Sequence, residues 1–359
     1  MLDIADVLPY LLERDLVSAG AVVDGSLRIV DRSRRNRVFV VTSDGERGLV
    51  VKQTCDGEPA GARHEATVLQ RLRAADRRFA PRLPVPVSYD AADGILVLEA
   101  AHEPQDLRRR HACGRYSREL AAQVGRTLAL LHATPLGDHA GPWDARSALR
   151  MHRPSIRDAA QLTDAAIELV GAIQRSEELC AALDALHASP RGDASIHGDV
   201  RWDNVLTARP PDGTSERRAR VLLLDWETAG PGDPSQDVGA FFGEYLGAWM
   251  RSIPIVDPAD PGRLIASAGR PLARMRPAIN AFWHAYSDHD GGERDGLLLR
   301  RAARFAAVRV LASAYEESLS RSVLSGSAHF ALQLSMNILR RPDQAIAHLL
   351  GISAPWSAR

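Results

Sequence analysis

The sequence predicts an α+β protein whose strands come first and whose helices follow. Five short runs rich in Val, Ile and Leu lie between residues 26 and 100, the composition of strands. Beyond residue 101 apolar residues recur at helical spacing. Two polar segments, 196–206 and 222–227, interrupt the helical part with short apolar runs that meet carboxylates. A chain of 359 residues is long enough for two lobes with sizeable cores.

The composition, 45% apolar and 25% charged, is that of a soluble globular chain. Lys plus Arg equals Asp plus Glu at 45 each, which gives no sign of a nucleic-acid or membrane partner, and none is expected. Cys55, Cys113 and Cys180 are few, odd in number and without metal-ligand spacing, so a reducing compartment suits them. The N-terminus lacks a basic-then-apolar signal layout, and no apolar run reaches membrane-spanning length. A cytoplasmic location is expected.

Taken in order, residues 2–17 place Ile4, Leu8, Leu11, Leu12 and Leu16 on one face of a short amphipathic helix. Residues 26–30, 38–42 and 48–52 read as three strands. The turn between the first two, Asp31-Arg32-Ser33-Arg34-Arg35-Asn36-Arg37, is basic and has no glycine. Lys52 ends the third strand and is the only lysine in the chain. Lysine is a compact point charge where arginine is a wide planar fork, so a narrow site for phosphate oxygens can require it. The alternative is a position that a coding bias toward arginine left untouched. A helix over 59–73 follows, with Ala62, Ala66, Leu69 and Leu72 at helical spacing. It carries Glu65, with Glu58 as a second acidic residue nearby. Two more strands fill 84–100, the second ending in Ile95-Leu96-Val97-Leu98-Glu99-Ala100.

From here the chain turns helical. Leu120, Val124, Leu128 and Leu131 form a stripe ending at His132. The basic run Arg108, Arg109 and Arg110 reads as a solvated face, and His152, Arg153 and Asp158 are candidates to line an acceptor site. Residues 271–289, 295–320 and 328–350 read as helices.

The chemistry gathers between these parts. Asp199 and Asn204 stand five residues apart in a polar loop, and Asp225 ends the apolar run 221–224. A turn signal, Pro210-Pro211-Asp212-Gly213, folds the two segments into a hairpin-like pair that returns Asn204 to Asp225. This layout sets a hydroxyl beside a metal-bound nucleotide. Asp199 can accept the hydroxyl proton, while Asn204 and Asp225 offer hard oxygen ligands to Mg²⁺. A carboxylate emerging from an apolar surround is costly without a cation, which favours the metal. Asp233 can cap the helix that follows, and Trp202 and Asp203 either shape the acceptor pocket or pack.

The Asp-to-Asn spacing resembles the kinase catalytic loop. The His197-Gly198-Asp199 opening, the Asp225-Trp226-Glu227 ending and the Gly232-Asp233-Pro234…Asp237 stretch resemble the aminoglycoside phosphotransferase-like family. The resemblance covers residue 26 to about residue 320, with its specific motifs confined to Lys52, Glu65, 197–204 and 225–237. It implies a two-lobed protein-kinase-like fold. A small antiparallel-sheet N-lobe over 1–101 would bind the nucleotide, and a mainly helical C-lobe over 102–359 would carry catalysis and the acceptor. It further implies ATP and Mg²⁺, with Asp199 as catalytic base and Asn204 and Asp225 on the metal. Lys52 would hold the α- and β-phosphates, paired with Glu65. Ser33 and Asn36 would supply phosphate donors where a glycine-rich loop is usual. The backbone from Glu99 to Ala101 would meet the adenine edge, and His197 and Asp237 would brace the loop. The basic turn admits two other readings, a solvated hairpin or a dock for an acidic peptide.

For the acceptor, Ser33-Arg34-Arg35-Asn36 and the stretch 197–204 resemble a subset, the phosphotransferase-like proteins of thioamitide and class V lanthipeptide biosynthesis. This implies phosphorylation of Ser or Thr in a ribosomally made precursor peptide, before a lyase partner eliminates the phosphate. Residues 230–359 hold 14 Arg against 12 Asp plus Glu, which argues against a carboxylate-rich pocket for a polycationic aminoglycoside. The rivals are a small-molecule kinase for an antibiotic or metabolite, and a pseudokinase docking module for a partner enzyme. The intact set of Lys52, Asp199, Asn204 and Asp225 argues against the docking module.

Overall fold

The computed structural model describes residues 2–34, 36–43, 47–54, 60–137, 147–188, 194–208, 219–254, 265–288 and 296–353. Cys55, Glu58, Arg35 and the turn at 210–213 lie outside the described residues. The chain forms two compact units. One is drawn from Met1–Leu107, Leu136–Trp143 and Asn204–Ala229, the other from Arg108–Pro135, Asp144–Asp203 and Gly230–Arg359.

In the first unit, helix α1 (Ile4–Glu13) begins at a capping box in which Asp3 and Asp6 exchange side-chain and backbone bonds. Five strands follow: β1 (Arg28–Asp31), β2 (Arg37–Thr42), β3 (Leu49–Gln53), β4 (Pro86–Asp90) and β5 (Ile95–Glu99). They make one antiparallel sheet in the order β1-β2-β3-β5-β4. Successive side chains of a strand point to opposite faces. Leu49 and Val51 of β3 therefore join Phe39, Val41, Ile95 and Val97 in a core that α1 covers with Val7, Tyr10 and Leu11. Lys52 falls on the other face. The helix corrects one expectation: Ile4 is 44% exposed, and Leu16 lies beyond the helix end. The i, i+3, i+4 triple Val7, Tyr10 and Leu11 meets the sheet, which rotates the buried stripe away from Ile4.

Helix α2 (Ala60–Ala75) buries Ala62, Ala66, Val68, Leu69 and Leu72, and with them Glu65. A second sheet of this unit pairs Val205–Ala208 with Gln105–Asp106 on one side and Arg220–Leu223 on the other. Its register sets Val205 opposite Leu223. Asn204 and Asp225 thus leave the same end of two paired strands.

The second unit is mainly helical. Its longer helices are α3 (Arg118–His132), α4 (Asp164–Gln174), α5 (Glu177–Ala188), α6 (Pro234–Met250), α7 (Leu272–Ser287), α8 (Gly296–Ser318) and α9 (Gly326–Arg340). Asp233 caps α6 by accepting the Ser235 N–H at 2.9 Å, with Pro234 at the first turn. Helix α6 is buried along nearly its whole length. It lies against α8 so closely that a Cβ on Gly239 would meet the Ala302 carbonyl at 2.4 Å, and one on Gly243 would meet Arg309 Cβ at 2.6 Å. A short ladder, Ala194–Ile196 with Gly230–Gly232, fixes the approach to the polar loop. Among the described residues no helix is long and apolar enough to cross a membrane.

Candidate functional site

In the first unit the sheet aims Lys52 at Glu65. Lys52 Nζ donates to Glu65 Oε2 at 2.6 Å and to Asp225 Oδ1 at 2.5 Å, with Glu227 Oε2 at 3.7 Å. Glu65 uses its second oxygen to accept the Trp226 N–H at 3.3 Å, so a single carboxylate ties β3 to the segment that carries Asp225. That segment turns sharply. Asp225 has φ 67°, in the left-handed region that costs a non-glycine residue roughly 1–3 kcal/mol. Trp226 helps hold it there, fully buried, with its indole N–H on the Leu223 carbonyl at 2.8 Å.

Burial disfavours the charged form of Lys52, but Glu65, Asp225 and Glu227 together outweigh it and raise the lysine above its ordinary pKa. Glu227 is pushed up, first by burial and then by repulsion from Asp225. Lys52, not a metal ion alone, supplies the positive charge that the sequence demanded beside Asp225. The carboxylate side chain is also 29% exposed, so its surround is less apolar than the preceding strand suggests.

The other nucleotide-side candidates are placed as follows. Asn36 Nδ2 donates to Glu227 Oε2 at 2.9 Å. Ser33 Oγ accepts the Val38 N–H at 3.1 Å, and the Ser33 N–H donates to Asp31 at 2.7 Å. Glu99 pairs with Arg47 at 2.6 Å, and the N–H groups of Glu99 and Ala100 donate to Val85 and Gly48. Ala101 lies two residues beyond the end of β5.

The first unit's donors suit Mg²⁺. Three carboxylates around one ammonium leave two formal negative charges in excess. No group of three His, Cys, Asp or Glu side chains among the described residues is placed to hold a metal by itself. A carboxamide and a carboxylate from paired strand ends match the habit of Mg²⁺, which takes one or two protein oxygens and fills its shell with phosphates and water.

In the second unit the polar loop hangs on Asp237. The N–H groups of His197 and Gly198 donate to its two oxygens at 2.7 and 2.9 Å, and His132 Nε2 lies 3.1 Å away. Burial would raise the Asp237 carboxyl, but the His132 contact and the His197 bonds outweigh it and hold the group below the usual range. The Asp199 N–H reaches His197 Nδ1 at 3.3 Å. Asp199 itself is 28% exposed, and its Oδ2 accepts from Arg201 Nη2 at 2.8 Å.

Several partners escaped the sequence reading. Arg108 pairs with Asp203 and lies 3.8 Å from Glu244, so this part of the basic run is not simply a solvated face. Glu244 accepts the Trp202 N–H at 3.3 Å and a bond from Arg309 at 3.0 Å. Arg309 also holds Glu316 at 2.8 Å. Trp202 packs: it is buried, its ring 4.5 Å from His111 and 4.9 Å from Tyr245. His152 and Arg153 share Asp184, while Asp158 takes the Ser155 hydroxyl at 2.6 Å.

Residues 26–276 match the phosphotransferase enzyme family, APH. Over 257 residues the chain is 30% identical to viomycin phosphotransferase of Streptomyces vinaceus, spanning 67% of this chain and 79% of that one. The crystal structure of aminoglycoside phosphotransferase APH(4)-Ia is similar with a TM-score of 0.52 at 17% identity, covering 94% of this chain and 99% of the other. Choline kinase from Cryptosporidium parvum Iowa II gives 0.52 at 13% identity and 96% of both chains. At those identities the two structures show the fold alone. It is protein-kinase-like, with a five-stranded antiparallel sheet in the N-terminal region and a mainly helical remainder.

Proposed function

The chain belongs to the phosphotransferase enzyme family, and from that premise we propose that it moves the γ-phosphate of ATP to the hydroxyl of a small-molecule acceptor. The observation that carries this reading is the buried Lys52 held between Glu65 and Asp225. A single ammonium in that setting suits the α- and β-phosphates. Asp199 takes the proton as the acceptor oxygen bonds to the γ-phosphorus. The bond from that phosphorus to the bridging oxygen breaks, and ADP leaves. Asn204 and Asp225 would hold Mg²⁺, which neutralises charge on the phosphates when bound. Ser33 and Asn36 lie on the turn assigned to the phosphates, and Glu99 to Ala101 on the segment assigned to adenine. Residues 1–101 are assigned to nucleotide binding and 102–359 to catalysis and the acceptor.

A second reading, Ser or Thr of a precursor peptide as acceptor with a lyase partner downstream, is favoured by one observation. Arg32 and Arg34 stand exposed on the turn before β2, where they suit an acidic peptide. The same turn carries the resemblance to the thioamitide and class V lanthipeptide proteins.

The test is transfer from γ-labelled ATP with Mg²⁺ to viomycin, to other hydroxyl-bearing antibiotics and metabolites, and to size-fractionated extract of the source cells. Label on small molecules supports the first reading. Base-labile label in the peptide fraction alone overturns it in favour of the second. General-base assistance is worth roughly 10²–10⁴-fold, so Asp199→Asn should lose about that much turnover while still binding ATP. Undiminished turnover removes Asp199 from the role.

A further inference from the structure

Three residues of the polar loop, Arg201, Trp202 and Asp203, each carry a charged partner from elsewhere in the second unit, and two of those contacts converge on Arg309. We propose that Glu316 and Arg201 form a relay that positions the Asp199 carboxylate, with Arg309 as its anchor. The proposal rests on the reading of Asp199 as the base.

The geometry runs outward from the reacting group. Arg201 sets Nη2 against Asp199 Oδ2 at 2.8 Å and turns Nη1 toward Glu316 Oε2 at 3.8 Å. Glu316 is held from behind by Arg309 Nη1 at 2.8 Å. Through Nε, Arg309 grips Glu244 at 3.0 Å, and Glu244 takes the Trp202 N–H at 3.3 Å. Arg309 is the buried member, with its side chain 11% exposed. It stands over Gly243, one of the two glycines at which α6 comes close to α8.

A lone Arg–Asp pair on one loop can turn as a unit. A second carboxylate 3.8 Å from the far terminal nitrogen opposes that rotation electrostatically, because turning the planar guanidinium would carry its charge away from Glu316. Glu316 thereby sets the plane of Arg201, and Arg201 sets the carboxylate of Asp199. A catalytic group must be held within about 0.5 Å of its working geometry by neighbours that are themselves locked. Here the lock belongs to α8, more than a hundred residues along the chain from Asp199. Arg201 and Glu316 are positioning residues; the proton goes to Asp199.

The test is a double-mutant cycle of Arg201→Ala and Glu316→Gln on the full chain, with Arg201→Lys and Asp199→Asn beside it. ADP formation from Mg-ATP is followed with viomycin and with water as acceptors. Each single substitution should lower kcat about ten-fold and move KM for Mg-ATP by no more than about two-fold. The double variant should be no slower than Arg201→Ala alone, and Arg201→Lys should recover part of the loss. The same cycle in urea unfolding reads the coupling without turnover and should also be non-additive. Additive losses in either cycle overturn the relay. So does full turnover in Glu316→Gln while Asp199→Asn is dead. Full turnover in Asp199→Asn instead overturns the reading of Asp199 as base.

Discussion

Lys52 and Glu65 meet at 2.6 Å with side chains 9% and 2% exposed, a desolvated ion pair joining strand β3 to helix α2. Removing one partner of such a pair strands the other charge, at a cost of about 3–5 kcal/mol. Lys52→Met leaves Glu65, Asp225 and Glu227 without their cation. It should destabilise the protein by about 3 kcal/mol in urea unfolding and abolish ATP-dependent turnover. Lys52→Arg keeps the charge but brings a wider fork into the same space, and should fail in turnover as well. A native-like midpoint for Lys52→Met would mean that the three carboxylates do not depend on the lysine.

His111 is 1% exposed, and neither ring nitrogen has a partner among the described residues. Burial first, then Arg110 and Arg270, pulls its pKa from 6.5 to about 3. A folded pKa below the unfolded one means stability that is complete above pH 6.5 and falls as the pH drops toward 3. His111→Phe keeps the ring among Tyr116, Trp202 and Tyr245 and removes two unsatisfied nitrogens. It should unfold at equal or higher urea, by up to about 2 kcal/mol, and lose less stability between neutral and acid pH. A steeper acid loss in the variant would contradict this origin.

Asp237 titrates in the same sense from a different cause. Its folded pKa is depressed, so its contribution is present above the ordinary carboxylate range and is lost as pH falls through the folded value. Asp237→Asn presents an amide N–H₂ to the His197 or Gly198 N–H, which replaces one bond by a repulsive contact. Stability at neutral pH should drop by about 2–4 kcal/mol, with a flatter acid limb in urea midpoints measured across pH.

Gly243→Ala adds a methyl where Arg309 Cβ, its Cγ and the Ala306 carbonyl stand at 2.6, 2.8 and 2.9 Å. Alanine is the better helix former by about 1 kcal/mol, yet overpacking here costs about 1–3 kcal/mol. The two helices must part, so the expected outcome is a lower melting temperature together with a lower kcat, as Arg309 shifts off Glu244. Raised stability with unchanged kcat would show that the approach of α6 to α8 is not tight.

The sheet, α2 and the polar loop were legible in the sequence because each depends on local pattern. The pairing of Lys52 with Glu65 is what the family resemblance implies, with Glu58 as a second acidic residue nearby, and Lys52 Nζ indeed meets Glu65 Oε2. Arg108, Arg201, Arg309, Glu244 and Glu316 were not legible. Their side chains are long, and their partners are set by which helices pack together rather than by spacing along the chain. Of the face expected for α1 only Ile4 turns to solvent, because the sheet decides where the covered stripe begins; Leu8, Leu11, Leu12 and Leu16 all pack on the core. Residues 204–229 join the first unit through their pairing with Gln105–Asp106, and sequence order alone points the other way.

That interleaving has a consequence for biosynthesis. Translation delivers Lys52 and Glu65 early, while Asn204 and Asp225 emerge only after the whole stretch from Arg108 to Asp203 has left the ribosome. Until then the nascent sheet carries Lys52 with only one of its two close carboxylates, and the strands Val205–Ala208 and Arg220–Leu223 do not yet exist. The first unit to begin is therefore among the last to be completed. Prematurely terminated chains would display its unfinished edge to chaperones and proteases.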